Sequence, residues 1–341
     1  MKIGIFAPST SRQAQILRRE LEAISSECVV FLDSELTERH QAAVGNGRVY
    51  WNDEPLDDID GLYCHGFDYQ DPVLPPADPL CDWGLWQIGP VIAQQRYSFL
   101  FSLLSRVESA GTPMINPLSI LVSAFARYTL LDRVKRAGFA VPNLICTNDG
   151  AAVDAFTERF STAVWRPVTG RAAWQLFRSK QRQHLIGVEK PPVMIAEVVP
   201  GPLVRVYVVD GVVTLAVAIN PPVRAKVETL ETFVPAPSKC VEQLAPVGAA
   251  MTALGVRFAM ATVVLSEQGP VIYDIDPDPV LTDMPETFAV LVLRQLACAL
   301  LRRPISVMPP DLEAETRPAL LLRRMLGIQF DMEATKYAEA S

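Results

Sequence analysis

Closely spaced cysteines, a glycine-rich first turn, a basic excess and a long uninterrupted apolar run are all missing from this sequence, and each absence narrows what the chain can be. The six cysteines (Cys28, Cys64, Cys81, Cys146, Cys240 and Cys298) are scattered. Neither a zinc site nor a disulfide framework is suggested, and buried free thiols in a reducing cytoplasm are expected. Basic residues number 31 against 38 acidic ones, a formal charge of -7. That balance argues against a nucleic-acid partner, while leaving room for a local basic groove that holds nucleotide phosphates. The turn after the first apolar segment, Ala7-Pro8-Ser9-Thr10-Ser11, has no glycine, so the fingerprint of a dinucleotide-binding turn is absent. The N-terminus passes straight into Ile3-Gly4-Ile5-Phe6 without the features of a signal peptide. The most apolar stretch, Phe288 to Leu301, is interrupted by Arg294 and Gln295 and is too short to span a bilayer. No membrane association and a soluble, cytoplasmic protein are expected. There are no internal repeats and no low-complexity tracts.

What is present is apolar material for more than one core. Of 341 residues, 50% are hydrophobic and 20% charged, a globular composition at a length that predicts two or three packed lobes. Lys2 to Ala7 reads as a buried strand, Gln13 to Ala23 as an amphipathic helix and Cys28 to Leu32 as a second strand, with further strands at Arg48 to Trp51 and Gly61 to Cys64. An acidic, proline-rich loop from Asp68 to Asp82 precedes helices at Trp86 to Gln94 and Ser98 to Ser109, and Thr112 to Ile115 reads as a strand. Strands alternating with helices predict a mostly parallel α/β sheet. Ser119 to Ala137 reads as a helix stopped at Gly138, and Phe139-Ala140-Val141-Pro142 as an extended approach to a new lobe. Strands follow near Thr162 to Trp165, Trp174 to Phe177 and Val193 to Val198. Asp210-Gly211 joins the apolar runs Val204 to Val209 and Val212 to Ile219 in a hairpin signature. After the proline-rich Pro221 to Pro237 come a helix near Val241 to Leu254, strands at Phe258 to Leu265 and Val271 to Ile275, and a helix from Glu286 to Leu301.

Val271 to Leu281, reading Val-Ile-Tyr-Asp-Ile-Asp-Pro-Asp-Pro-Val-Leu, carries the most chemistry. Alternation along a strand puts Asp274 and Asp276 on one face and Ile275 on the other. Two neighbouring carboxylates repel unless a cation or water lies between them, and Mg²⁺ bound to a substrate phosphate prefers such oxygens. A solvated strand end with acidic turn residues is the competing account.

Four segments fall in a recognisable order. They are Met114-Ile115-Asn116-Pro117 with the helix and Gly138–Pro142 after it; Ala163-Val164-Trp165-Arg166-Pro167; Ala196-Glu197-Val198-Val199-Pro200-Gly201 with Val204-Arg205-Val206-Tyr207; and Phe258-Ala259 through Asp274-Ile275-Asp276-Pro277. Together they resemble the ATP-grasp superfamily, in the branch similar to the ribosomal protein glutamate ligases. The resemblance implies an α/β fold with an N-terminal parallel lobe (1–118), a small lid subdomain (119–190), a C-terminal mixed α/β lobe (191–308) and a peripheral charged tail (309–341).

The same resemblance implies ATP and Mg²⁺ as cofactors and an amino acid or peptide as the substrate, joined by carboxylate–amine ligation through an acyl-phosphate. A homodimer is left open. Arg127 and Arg166 stand where the family places its two phosphate lysines, and arginine stays charged and can bind phosphate bidentately. For Arg127 a surface arginine on a helix is the rival account. Glu197, Val198 and Val199 resemble the hinge whose backbone pairs with adenine, with a plain strand end as the rival. Arg205, in a run of valines, is expected to face the cleft rather than sit unpaired among them, with a salt bridge inside the sheet as the alternative. Arg205 and Arg224 take the catalytic assignments, Arg224 and Lys226 lying where substrate contacts fall, and a solvated loop is the rival there. Asp274 and Asp276 take the metal. His65, at a strand end, is placed at the acceptor side of the cleft or in a purely structural role.

The sequence also departs from the family pattern. Ala261-Thr262 stands where a third metal carboxylate is expected, and the lid loop Thr169-Gly170-Arg171-Ala172-Ala173 has one glycine where several are expected. Those departures keep a second expectation beside the ligase: a catalytically degenerate ATP-grasp protein that binds nucleotide or peptide as a partner subunit.

Overall fold

A computed structural model describes residues 1–25, 28–34, 41–45, 47–56, 58–67, 83–124, 126–168, 174–187, 189–220, 231–236, 238–306 and 315–317. The N-terminal part is built on β1 (Lys2–Ala7), whose side chains from Ile3 onward are fully covered, as a central strand of a parallel sheet requires. The helix α1 (Arg12–Ile24) follows, started by Ser11, whose hydroxyl accepts from the Ala14 N–H at 3.2 Å. It buries Ala14, Leu17 and Leu21, one helical face, against the sheet. β2 (Cys28–Asp33) pairs in parallel with β1. β3 (Ala42–Gly45), β4 (Arg48–Trp51) and β5 (Glu54–Pro55) make a separate antiparallel meander. β6 (Gly61–Cys64), the long helix α2 (Trp83–Ser109) and β7 (Met114–Ile115) complete the unit, and the parallel sheet has the order β2-β1-β6-β7. Where the sequence suggested two helices before residue 109, one continuous helix runs.

The predicted helix from 119 to 137 is two helices, α3 (Leu118–Ser123) and α4 (Arg127–Arg136). β8 (Leu144–Thr147), α5 (Gly150–Arg159), β9 (Ala163–Pro167), β10 (Gln175–Leu176), α6 (Ser179–Leu185) and β11 (Val193–Glu197) then form a small layer with sheet order β10-β9-β11-β8. Asp149 caps α5, and Val153, Phe156, Ala163, Val193 and Ile195 form the core beneath it. β11 lies in this sheet, although a division at residue 190 places it with the lobe that follows. Its neighbours β9 and β8 sit on both sides of it, so its backbone groups are satisfied only there.

The third layer is an antiparallel sheet of order β16-β15-β12-β13-β14-β17. Its members are β12 (Leu203–Val209), β13 (Val212–Asn220), β14 (Glu231–Pro235), β15 (Phe258–Ser266), β16 (Gly269–Asp276) and β17 (Glu315–Arg317). β14 lies inside the span read as a proline-rich loop, and β17 pairs with it from within the segment read as a peripheral tail. Asp210 and Gly211 turn the β12–β13 hairpin with φ of 45° and 78°, the left-handed pair that this two-residue turn needs. α7 (Ser238–Gln243) and α8 (Ala245–Leu254) precede β15, and α8 covers one sheet face with Val204, Val206, Val208, Ile272 and Ile275 in the core. α9 (Glu286–Leu300) covers the other face and packs against α1, joining this sheet to the N-terminal one through Tyr207, Leu215, Val217 and Phe288.

Side-chain amides fix that junction. The buried Asn116 carbonyl accepts from the Arg257 and Phe258 N–H groups at 2.7 and 2.8 Å, and its amide donates to the Phe258 and Pro277 carbonyls, each at 2.6 Å. The Gln13 amide donates to Tyr63 Oη at 2.8 Å and Pro279 O at 3.2 Å, and its carbonyl accepts from Leu281 N at 2.7 Å. The turn after β16 is thereby held to the N-terminal lobe. Among the described residues, no helix is long and apolar enough to cross a membrane.

Candidate active site

The register of β15 and β16 shifts between the pairs Thr262↔Asp274 and Val263↔Ile272, so Tyr273 is an extra residue on β16. Such a bulge interrupts strict alternation and re-aims the side chains around it. Ile272 and Ile275 enter the core beneath α8, whereas Tyr273 packs with Ala196, Val199, Trp174 and Val271 between the sheet that holds β11 and the sheet that holds β16. Asp274 and Asp276 are 7% and 3% exposed. A solvated strand end is therefore not what they form.

Two buried arginines meet these carboxylates. Arg127, the first residue of α4, is 4% exposed and Arg166, near the end of β9, is 2% exposed. Arg166 Nη1 lies 2.8 Å from Asp274 Oδ2, Arg127 Nη1 lies 3.5 Å from Asp274 Oδ1, and Arg127 Nη2 lies 3.3 Å from Asp276 Oδ1. Arg127 Nη1 also donates to the Ile275 carbonyl. Arg127 is thus no surface residue. Two guanidiniums balance two carboxylates, as buried charge demands. The hydrogen-bond capacity does not balance. Arg127 Nε, Arg166 Nε and Arg166 Nη2 are buried without a partner. Each such donor costs on the order of 1–3 kcal/mol, and an anion such as a phosphate would satisfy them. The Arg166 guanidinium also stacks over Trp174 at 5.3 Å.

Arg205 is half-buried on β12, opposite Thr262, which is itself opposite Asp274. Directly paired residues share a face, so Arg205, Thr262 and Asp274 form one row across three strands. Arg224, Lys226 and the loop 169–173 lie outside the described residues.

At the hinge, the Glu197 carboxylate turns onto Asn143, accepting from its backbone N–H at 2.8 Å and its amide at 2.9 Å. The backbone groups of this segment are engaged as well. Glu197 N donates to Asn143 O and Val198 N to Thr162 O, at 3.0 and 3.1 Å. The Tyr273 hydroxyl donates to Glu197 O and accepts from Val199 N, both at 2.8 Å. Burial pushes its phenol above the usual value, the Val199 N–H opposing and the Glu197 charge reinforcing the shift.

Asp278, two residues beyond Asp276, has no assignment from sequence. Its Oδ1 lies 2.6 Å from His65 Nδ1, its Oδ2 accepts from Gly66 N at 2.7 Å, and its own N–H donates to Asp276 Oδ1 at 3.2 Å. His65 and Asp278 are both buried, so the histidine is fixed against the turn that carries the two aspartates. The Asp-x-Asp-x-Asp spacing is the signal that could have pointed to it.

Among the described residues, no group of three or more His, Cys, Asp or Glu side chains could hold a metal by itself. Two carboxylates suffice for Mg²⁺ when phosphate oxygens supply the remaining ligands. Asp274, Asp276 and the unpartnered guanidinium donors are compatible with that combination.

No protein-family model and no curated protein matches the chain. Solved structures do match. The ATP-grasp ligase PsnB complexed with a minimal precursor has a TM-score of 0.72 at 19% identity, covering 89% of this chain and 99% of that one. The macrocyclase MdnC from Microcystis aeruginosa MRC, bound with its precursor peptide MdnA, has a TM-score of 0.67 at 15% identity, covering 89% and 100%. A RiPP-associated ATP-grasp ligase from Chryseobacterium gregarium, in complex with ADP and a leader and core peptide, has a TM-score of 0.64 at 12% identity, covering 89% and 98%. The chain has the ATP-grasp fold.

Proposed function

We propose that this ATP-grasp fold serves an ATP- and Mg²⁺-dependent carboxylate–amine ligase that acts on a peptide through an acyl-phosphate. The observation that carries the reading is the buried cluster of Arg127, Arg166, Asp274 and Asp276, with three guanidinium nitrogens unpartnered. Solved structures of the same fold hold ADP and precursor peptides. Arg127 and Arg166 bind the phosphates, and the backbone of Glu197 and Val199 takes the adenine edge beside Val198. Asp274 and Asp276 hold Mg²⁺ together with phosphate oxygens. When bound, the metal neutralises charge that develops on the transferred phosphoryl group. Arg205, in the row with Asp274, and Arg224 orient the substrate carboxylate. Such positioning by fixed cations is the main contribution a protein makes to phosphoryl transfer.

A binding-only role is the second reading. Thr262 supplies no third carboxylate, and both aspartates already have guanidinium partners. Incubating the full chain with Mg·ATP and mixtures of peptides and amino acids separates the two. Peptide-dependent ADP formation supports the ligase, whereas tight ATP binding with no ADP formed in any mixture supports the binding role.

A further inference from the structure

The hydroxyl of Tyr273 has one proton to donate and lone pairs to accept, and both capacities are spent on the hinge. It donates to Glu197 O and accepts from Val199 N, each at 2.8 Å. The pairing edge of adenine presents the same pattern, a donor amine beside an acceptor ring nitrogen. The neighbouring Glu197 and Val198 N–H groups already donate to Asn143 O and Thr162 O. A base that pairs with the hinge therefore competes with Tyr273 for the same two backbone groups.

The ring is held as firmly as the hydroxyl. Tyr273 is 5% exposed and packs with Ala196, Val199, Val264 and Trp174 between the sheet that holds β11 and the sheet that holds β16. Its ring meets that of Trp174 edge to face, with centroids 6.0 Å apart at 86°. Trp174 lies under the Arg166 guanidinium, which is paired with Asp274. The bulge on β16 is what brings Tyr273 into this space, since it is the residue without a counterpart on β15.

We propose that Tyr273 is a built-in competitor of the nucleotide base, holding the hinge closed until adenine displaces its hydroxyl and thereby setting both affinity and base choice. This rests on the nucleotide-dependent reading given above. Displacement also loosens Trp174 from the ring and so reaches Arg166, which links the base end of the cleft to its phosphate end.

Calorimetric titration of the full chain with ATP and GTP in the presence of Mg²⁺, for the wild type and Tyr273→Phe, tests the proposal. Phenylalanine keeps the ring but leaves Glu197 O and Val199 N unpaired in the free protein, so ATP is expected to bind about five- to tenfold more tightly. GTP, whose edge presents an acceptor where adenine presents a donor, should gain less. A thermal melt gives an independent readout. Tyr273→Phe should melt lower than the wild type without nucleotide and show the larger rise on adding Mg·ATP. Equal or weaker ATP binding by the variant, with the wild type binding ATP, would overturn the competitor role and leave the ligase reading standing. ATP binding by neither protein would overturn both.

Discussion

Arg166 combines an ion pair, a stacked tryptophan and two unpartnered nitrogens within one buried guanidinium. Replacing it with alanine removes a charged, bidentate-capable phosphate contact, and ATP affinity measured by calorimetry should fall by on the order of 1.5–3 kcal/mol. An unchanged dissociation constant would remove Arg166 from the site. Thr262 offers the converse test. It is half-buried and directly opposite Asp274, so Thr262→Asp places a third carboxylate beside two that are already balanced by arginines. Mg²⁺-dependent ATP affinity should rise, and affinity without the metal should drop. Identical Mg²⁺ dependence in the variant and the wild type would argue against metal at this face. At this scale, the meeting of Arg166 and Asp274 in one cluster was legible, because a charge that ends an apolar strand has to be explained. His65–Asp278 was not legible as a pair, because 213 residues separate the partners. The placement of Tyr273 was hidden as well, since it depends on a bulge and strict alternation puts Tyr273 on the face opposite Asp274.

Elements were legible where periodicity is strong and chain-local. The Asp210-Gly211 hairpin and the first strand follow directly from turn chemistry and apolar runs. The break between α3 and α4 was missed because apolar spacing continues across it, and the sheet that β11 joins was not legible because its sequence does not encode pairing partners. Gly248 shows what close packing of elements demands. A Cβ there would stand 2.0 Å from the Gly211 carbonyl oxygen, backbone against backbone. In an isolated helix alanine is favoured over glycine by about 1 kcal/mol. The clash between α8 and the hairpin turn should outweigh that, so Gly248→Ala is expected to destabilise the protein by about 1–3 kcal/mol in a denaturant melt. A variant as stable as the wild type would contradict this contact.

For the whole molecule, the order of lobes was legible and their junction was not. Composition and element order predict several lobes, while the junction depends on Asn116, Gln13 and Asp278 reaching across long sequence separations. Those amides and the carboxylate hold the turn after β16, and with it Asp274 and Asp276, at the meeting point of three layers. In the function proposed here, this meeting point takes nucleotide and metal together. The decisive experiment titrates ATP into the full chain with and without Mg²⁺, for the wild type and Asp276→Ala. Mg²⁺ should strengthen wild-type binding by on the order of tenfold, about 1.4 kcal/mol, and should make little difference to the variant. ATP binding by the wild type that is indifferent to Mg²⁺, or no binding at all, would contradict the proposed function.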